Sequence, residues 1–301
     1  MLADVGVGYV RSMARSARSR TARGVVAERA LLTDLGVLDD PFARGMLDPA
    51  MGRLVDVLRR APSGTWRRSA TLAGLAARVA WMDSRIAAAL DAGIDQVAVV
   101  GAGYDSRAWR MRRTGVRWFE LDRPAPQAAK RAVAPHGDVT YVEADLLTTD
   151  AARELHRAGL AANRPAVFVL EGLTMYLDEQ VVRRQLARLA ASGAPGSRLL
   201  VDFTPPAATG SAANRRQVVL QRLARSGSGE RFLLTVVPAE AAALVGASGW
   251  TVTDVVSLRD AALELVPATS HLPRRSVNPD KTLLAAELGG PIPSSAERTE
   301  G

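Results

Sequence analysis

From residue 96 onward the sequence alternates short, almost wholly apolar runs with amphipathic stretches, and no other feature constrains the fold as strongly. Seven of the runs read as strands: Gln96–Val100, Val116–Asp122, Val139–Asp145, Ala166–Gly172, Ser197–Phe203, Trp250–Leu258 and Lys281–Leu288. A run that is apolar at successive positions suits a strand covered on both faces. Helical stretches lie between them, notably Glu179–Ala191, with Asp178 as its N-cap and Gly193 and Pro195 at its end. Strand and helix in alternation predict a doubly wound, mostly parallel sheet with right-handed crossovers. The last strand breaks the rhythm: a Pro- and Arg-rich loop, Pro267 to Pro279, leads into it with no helix in between. That strand is therefore expected to insert antiparallel.

Residues 1–90 read as an N-terminal helical cap, with helical spacing over Ala27–Leu35, Pro41–Leu58 and Ser69–Leu90. Residues 91–290 form the α/β core, interrupted by a polar insertion at 204–237 with one helix, a candidate lid. The tail 291–301, rich in Pro, Ser and Glu, is expected to be disordered. A chain of 301 residues suits one large domain with an appended piece. No apolar run approaches the ~18 residues of a membrane span, and no signal sequence is read at the N-terminus. A cytoplasmic protein without membrane contact is the expectation. The absence of cysteine excludes disulfides, thiolate zinc sites and a cysteine nucleophile.

The net charge of +8 invites a nucleic-acid partner. Yet the cations are spread through helices, aromatics do not interleave with them, and only Lys130 and Lys281 are lysines. The pattern fits a solvated, arginine-rich surface, with an anionic substrate or partner as the minor reading.

The motifs carry more. Gly101 and Gly103 directly follow the first strand, where the backbone must turn and approach a ligand. A dinucleotide fingerprint would have its third glycine at 106, which is serine, and Asp105 and Arg107 stand where the helix would begin. The turn thus reads against a pyrophosphate and toward S-adenosylmethionine, which carries no phosphate. At the tip of the second strand Asp122, 21 residues beyond Gly101, is placed to accept the ribose hydroxyls; Glu120 on the same face is the alternative. Asp145 closes the third strand, placed for the adenine amino group, with Leu146 for the ring. Glu171 closes the fourth, where it could neutralise the ligand's ammonium or sulfonium. Seven strands with an antiparallel last one, plus this set, correspond to the Rossmann-like class I methyltransferase arrangement. The weighed alternatives are an NAD(P)-dependent oxidoreductase and a non-catalytic nucleic-acid-binding protein.

In order and spacing the residues resemble the leucine carboxyl methyltransferase family. The matching pieces are Thr21-Ala22, Glu28-Arg29-Ala30, Asp40-Pro41-Phe42-Ala43, Ala77-Arg78 through Trp81-Met82-Asp83, Gly101-Ala-Gly103-Tyr-Asp105-Ser-Arg107, Phe119-Glu120-Leu-Asp122-Arg-Pro124, Asp145-Leu146 and Glu171-Gly-Leu-Thr-Met-Tyr176-Leu177. They span roughly residues 19 to 203. The resemblance implies that Arg29 and Arg78 bind the carboxylate of S-adenosylmethionine, a task suited to the guanidinium fork. It also implies methyl transfer to the carboxylate of a small metabolite or peptide, or to a hydroxyl in natural-product chemistry. Such a transfer needs no metal, and a carboxylate, ionised at neutral pH, needs no general base. A phenol usually would. The three histidines bear on this: His136 and His156 lie in connecting segments, and only His271 could reach the pocket. Orientation and exclusion of water are therefore expected to drive catalysis, with Tyr176 and Trp81 as candidate lining.

Overall fold

A computed structural model of the chain describes residues 22–60, 68–206 and 232–289. Its centre is one seven-stranded sheet ordered β3-β2-β1-β4-β5-β7-β6. The strands are β1 (Gln96–Val100), β2 (Arg117–Asp122), β3 (Val139–Glu143), β4 (Val167–Leu170), β5 (Arg198–Phe203), β6 (Thr251–Ser257) and β7 (Thr282–Glu287). The five strands β1 to β5 run parallel, while β7 lies antiparallel between β5 and β6. All seven expected strands form, each trimmed by at most a few residues.

Two-residue alternation explains why the runs had to be apolar throughout. Val97 and Val99 enter one core cluster, whereas Ala98 and Val100 enter the other. The first cluster is covered by α1 (22–34), α3 (Ala70–Asp91) and α9 (Leu258–Leu265). On the opposite face lie α6 (Ala151–Arg157), α7 (Glu179–Ser192) and α8 (Pro238–Ala247), around Phe168, Phe203 and Trp250. The remaining helices are α2 (Pro49–Arg60), the one-turn α4 (Arg107–Arg110) and α5 (Pro124–Arg131).

Three expectations change. The stretch Pro41–Leu58 is not one helix: a turn at 41–43 and a 3-10 turn at Arg44–Met46 precede α2. Asp40 explains the break, since its buried carboxylate accepts from Ala43 N at 3.2 Å and from Arg29 Nε at 2.8 Å. The last strand does have a helix before it. Helix α9 starts where β6 ends, its N-terminus capped by the Ser257 hydroxyl accepting from Asp260 N at 3.0 Å. Finally, Asp178 precedes α7 as expected, but its side chain makes no capping bond. Its carbonyl serves instead, accepting from Val181 N and Val182 N. The cap's first residues, most of the 204–237 insertion and the tail 291–301 lie outside the described residues.

Candidate functional site

The carboxyl ends of β1, β2, β4 and β5 converge on one cluster of charged side chains. After β1 the chain turns through Gly101 at φ +73° and Gly103 at φ +50°, values that L-side chains rarely adopt. A Cβ on Gly101 would come within 2.7 Å of Leu173, so the turn needs glycine for space as well as for conformation. At Gly103 the surroundings are open, with only the Ala22 methyl 3.9 Å away. Asp122, at the tip of β2, holds this turn: one oxygen accepts from Gly103 N and the other from Arg123 N, each at 2.7 Å. Asp122 stays partly exposed, while Glu120 is 1% exposed with its carboxylate 2.5 Å from Lys130 Nζ. Of the two acids left open by the sequence, only Asp122 faces the turn.

The residue at 106 decides what the turn can hold. A phosphate-binding loop directs free amides of a helix N-terminus at its ligand. Here the helix is a single turn, and Arg107 N already donates to Asp105 Oδ1 at 2.7 Å. The Ser106 hydroxyl accepts from Arg29 at 3.3 Å and from Arg110 Nε at 3.0 Å. A glycine could receive neither.

Arg107, 2% exposed, is the hub of the site. Its guanidinium reaches Asp83 at 2.6 Å, Asp105 at 2.5 Å and Glu171 at 2.6 Å. Burial alone would lower its pKa, but Asp105, Glu171 and Asp83 outweigh this and raise it. Reciprocally, burial would raise Asp105, yet Arg107, Lys130 and Arg29 hold it well below the usual carboxylate range. Asp83 is lowered in the same way by Arg107 and Arg110.

Glu171 is shared. Its other oxygen accepts from Arg78 Nε at 2.9 Å, and Arg78 in turn lies 3.5 Å from Asp202. Asp202, fully buried at the end of β5, accepts from Gly172 N at 2.5 Å and pairs with Lys281 Nζ at 3.1 Å. A continuous chain of ion pairs thus runs from Lys281 through Asp202, Arg78, Glu171 and Arg107 to Asp83 and Arg110.

The structure gathers most of the sequence-derived candidates here. Arg78 pairs with Glu171, which reaches Asp105 through Arg107, while beside them Gly103 N donates to Asp122 and Gly101 N to the carbonyl of Leu121. Arg29 lies beside the turn, donating to Asp40 and to the Tyr104 carbonyl at 2.9 Å. Asp145 and Leu146 close β3; Asp145 is partly exposed and accepts from Leu147 N at 3.1 Å. Tyr176 packs against Phe232, ring centroids 5.8 Å apart. Trp81 does not line an opening: it is 2% exposed within the core. The histidines stay apart. His156 bonds the Leu160 carbonyl at 2.8 Å, His271 is exposed beyond a 3-10 turn, and His136 lies between α5 and β3.

Four participants carried no role in the sequence reading: Arg107 and Asp83, quoted only as part of a motif, and Asp202 and Lys281, read as strand residues. An acid and an arginine flanking Ser106 were the available signal for Arg107. Nothing in the apolar run of β5 marked Asp202. Among the described residues no cluster of His, Cys, Asp and Glu could hold a metal ion.

Strand order, an antiparallel β7 and a glycine turn answered by an acid at the end of β2 define a Rossmann-like, class I methyltransferase fold. The leucine carboxyl methyltransferase family model matches residues 22–190, more than half of the chain, and the chain belongs to that family. A protein of Mycobacterium avium (strain 104), provisionally named an S-adenosyl-L-methionine-dependent methyltransferase, is 33% identical over 204 residues. That match spans 62% of this chain and 65% of its relative, just under two thirds of the relative's length. A similarly named protein of Mycobacterium sp. (strain JLS) is 30% identical across 79% of this chain and 85% of its own. Among solved structures, a DUF574-family protein of Streptomyces avermitilis superposes with a TM-score of 0.57 at 18% identity, over 87% of this chain and 96% of that one. A Thermobifida fusca YX protein does so at 0.56 and 19%, over 87% and 94%. These two likenesses concern the fold.

Proposed function

We propose that the chain is an S-adenosylmethionine-dependent O-methyltransferase that esterifies the carboxylate of a small metabolite or peptide. The observation that carries this is the Arg78–Glu171–Arg107 cluster beside a glycine turn whose first helical amide, Arg107 N, is already taken by Asp105. An amino acid moiety needs one cation and one anion side by side, and Arg78 with Glu171 supplies both. Arg29 reinforces the cation side of the turn. Asp122, partly exposed, has the lone pairs for two ribose hydroxyls, and Asp145 with Leu146 suits the adenine edge and face. Gly101 and Gly103 allow close backbone approach, and Asp105 keeps Arg107 in position. When bound, the cofactor would supply a methyl group on a cationic sulfur, activated for transfer to the acceptor oxygen with a neutral thioether as leaving group.

This chain's own contribution is then orientation and exclusion of water, without proton transfer. No histidine contacts the cluster among the described residues, which favours an acceptor that is ionised at neutral pH over a phenol. The family's name agrees with a carboxylate acceptor, and the names of the mycobacterial relatives support only S-adenosylmethionine as the methyl donor. A nucleic-acid role is less well supported, because many surface arginines are already matched, as in Arg113–Asp91, Arg157–Glu154 and Arg183–Glu179.

The test is methyl transfer from radiolabelled S-adenosylmethionine to a panel of carboxylic acids, followed by mild base. A methyl ester releases labelled methanol, as the reading expects. Base-stable label in the product would mean an ether or amine, and would overturn the carboxylate assignment.

A further inference from the structure

Only two lysines occur among the 39 lysine and arginine residues of this chain, and each faces a buried carboxylate. Lys130 is 1% exposed, and its pairing with Glu120 lies beneath the sheet edge. Lys281 differs. Its side chain retains 17% exposure, and it stands immediately before β7, at the end of the sheet that carries the site. Where the rest of the chain uses arginine for positive charge, this position uses a compact ammonium with three donors.

Its partner is over-committed. The Asp202 Oδ2 that lies 3.1 Å from Lys281 also lies 3.5 Å from Arg78 Nη1, while Oδ1 takes Gly172 N. Two cations therefore share one carboxylate oxygen, and Arg78's other anion, Glu171, is shared with Arg107. Burial lowers the Lys281 pKa, Arg78 lowers it further, and Asp202 only partly compensates. Among the described residues, Asp202 is the one ion-pair partner of Lys281, which leaves two N–H donors for something else.

A second observation points the same way. In the β5–β7 ladder Phe203 pairs with Thr282, so Thr204, one residue beyond, comes opposite Lys281. Asp202, Thr204, Lys281 and Leu283 fall on one face by alternation, the face covered by α3, which carries Arg78. The Thr204 hydroxyl is buried and has no hydrogen-bond partner. An orphaned buried hydroxyl is unfavourable unless something completes it.

We infer that Lys281 and Thr204 form the receiving position for the methyl acceptor's carboxylate, next to the Arg78–Glu171 pair. The inference deepens the carboxylate reading above and rests on it. One acceptor oxygen takes hydrogen bonds from the Lys281 ammonium and the Thr204 hydroxyl; the other stays free to attack. The ammonium fixes the acceptor's ionised form and orientation without removing a proton, and a neutral amide or alcohol gains much less from it.

The experiment measures binding to the adenosylhomocysteine complex of the full chain, by ligand-observed NMR, of octanoate, benzoate and N-acetyl-leucine against their primary amides. Wild type is expected to prefer carboxylate over amide at least tenfold. Lys281→Met should abolish that preference in the adenosylhomocysteine-saturated complex, Lys281→Arg should restore most of it, and Thr204→Val should reduce it severalfold. Thermal unfolding of each variant identifies one that has lost its fold, and Thr204→Val, nearly isosteric, keeps the test available if Lys281→Met does not fold. A wild-type preference that survives both Lys281→Met and Thr204→Val overturns the assignment of these residues and leaves the carboxylate reading standing. Absence of any preference in wild type, with base-stable methylation of hydroxyl compounds, overturns both.

Discussion

Asp122 and Arg78 are the two side chains on which cofactor affinity should depend most directly. Asp122 holds Gly103 through one oxygen and remains partly exposed; Arg78 is fixed between Glu171 and Asp202. Asp122→Ala removes both the proposed ribose acceptor and the tie on the turn. Arg78→Ala removes the cation and leaves Asp202 to Lys281 alone. Each variant should bind adenosylhomocysteine at least tenfold more weakly by calorimetry, about 1.4 kcal/mol or more. Circular dichroism should remain that of the folded chain. Wild-type affinity in either would mean that the site lies elsewhere. Arg107 acts differently: with three carboxylates around it, it positions Glu171 and Asp105 rather than facing a ligand.

Among the elements, β2 and α5 are joined by the most exposed weakness of the fold to pH. Glu120 on β2 meets Lys130 on α5 with both side chains 1% exposed. Burial pushes the Glu120 pKa from 4.5 up to about 7, against the pull of Lys130. Between those values the folded chain keeps a proton that the unfolded chain has lost, so stability falls as pH rises through that window. Asp83, Asp105 and Asp202 are lowered below 3.8, so the stability they contribute is present above that value and is lost as pH falls further. Thermal unfolding should therefore show a maximum near pH 5 and a decline toward neutrality. In Glu120→Gln/Lys130→Met that decline should flatten, by on the order of 3 kcal/mol across the window, because the titrating pair is gone and a neutral pair of similar volume is tolerated. An unchanged slope would remove Glu120 from the account.

The elements also show how far the sequence could be read. Central strands such as β1 and β4 followed from apolar runs, since burial on both faces leaves no room for polar residues at alternate positions. Helix α9 escaped because it is short, only Leu258–Leu265, and begins directly where β6 ends, with the Ser257 and Asp260 pair marking its start. The break after Asp40 was equally hidden, because helical spacing persists while a side chain 11 residues away, Arg29, holds the loop. At the site, residues adjacent in the chain to glycine turns and strand tips were legible. Asp202 and Lys281 were not, since their pairing depends on which strands become neighbours, and β5 meets β7 only after β6 has been made.

At the level of the whole molecule, a parallel sheet brings the ends of β1, β2, β4 and β5 together, and the antiparallel β7 brings Lys281 to the same edge. The cluster of alternating charges there is dense in anchored carboxylates and guanidinium groups, and the first amide of the short helix after the turn, Arg107 N, is held by Asp105. The central claim is that this edge is built for S-adenosylmethionine and not for a dinucleotide. It is tested most directly by calorimetric titration of the wild-type chain with adenosylhomocysteine and, in parallel, with NADPH and NADH. Saturable one-to-one binding of adenosylhomocysteine, with no heat from either dinucleotide at tenfold higher concentration, is the predicted result. Binding of a dinucleotide in preference to adenosylhomocysteine would contradict it.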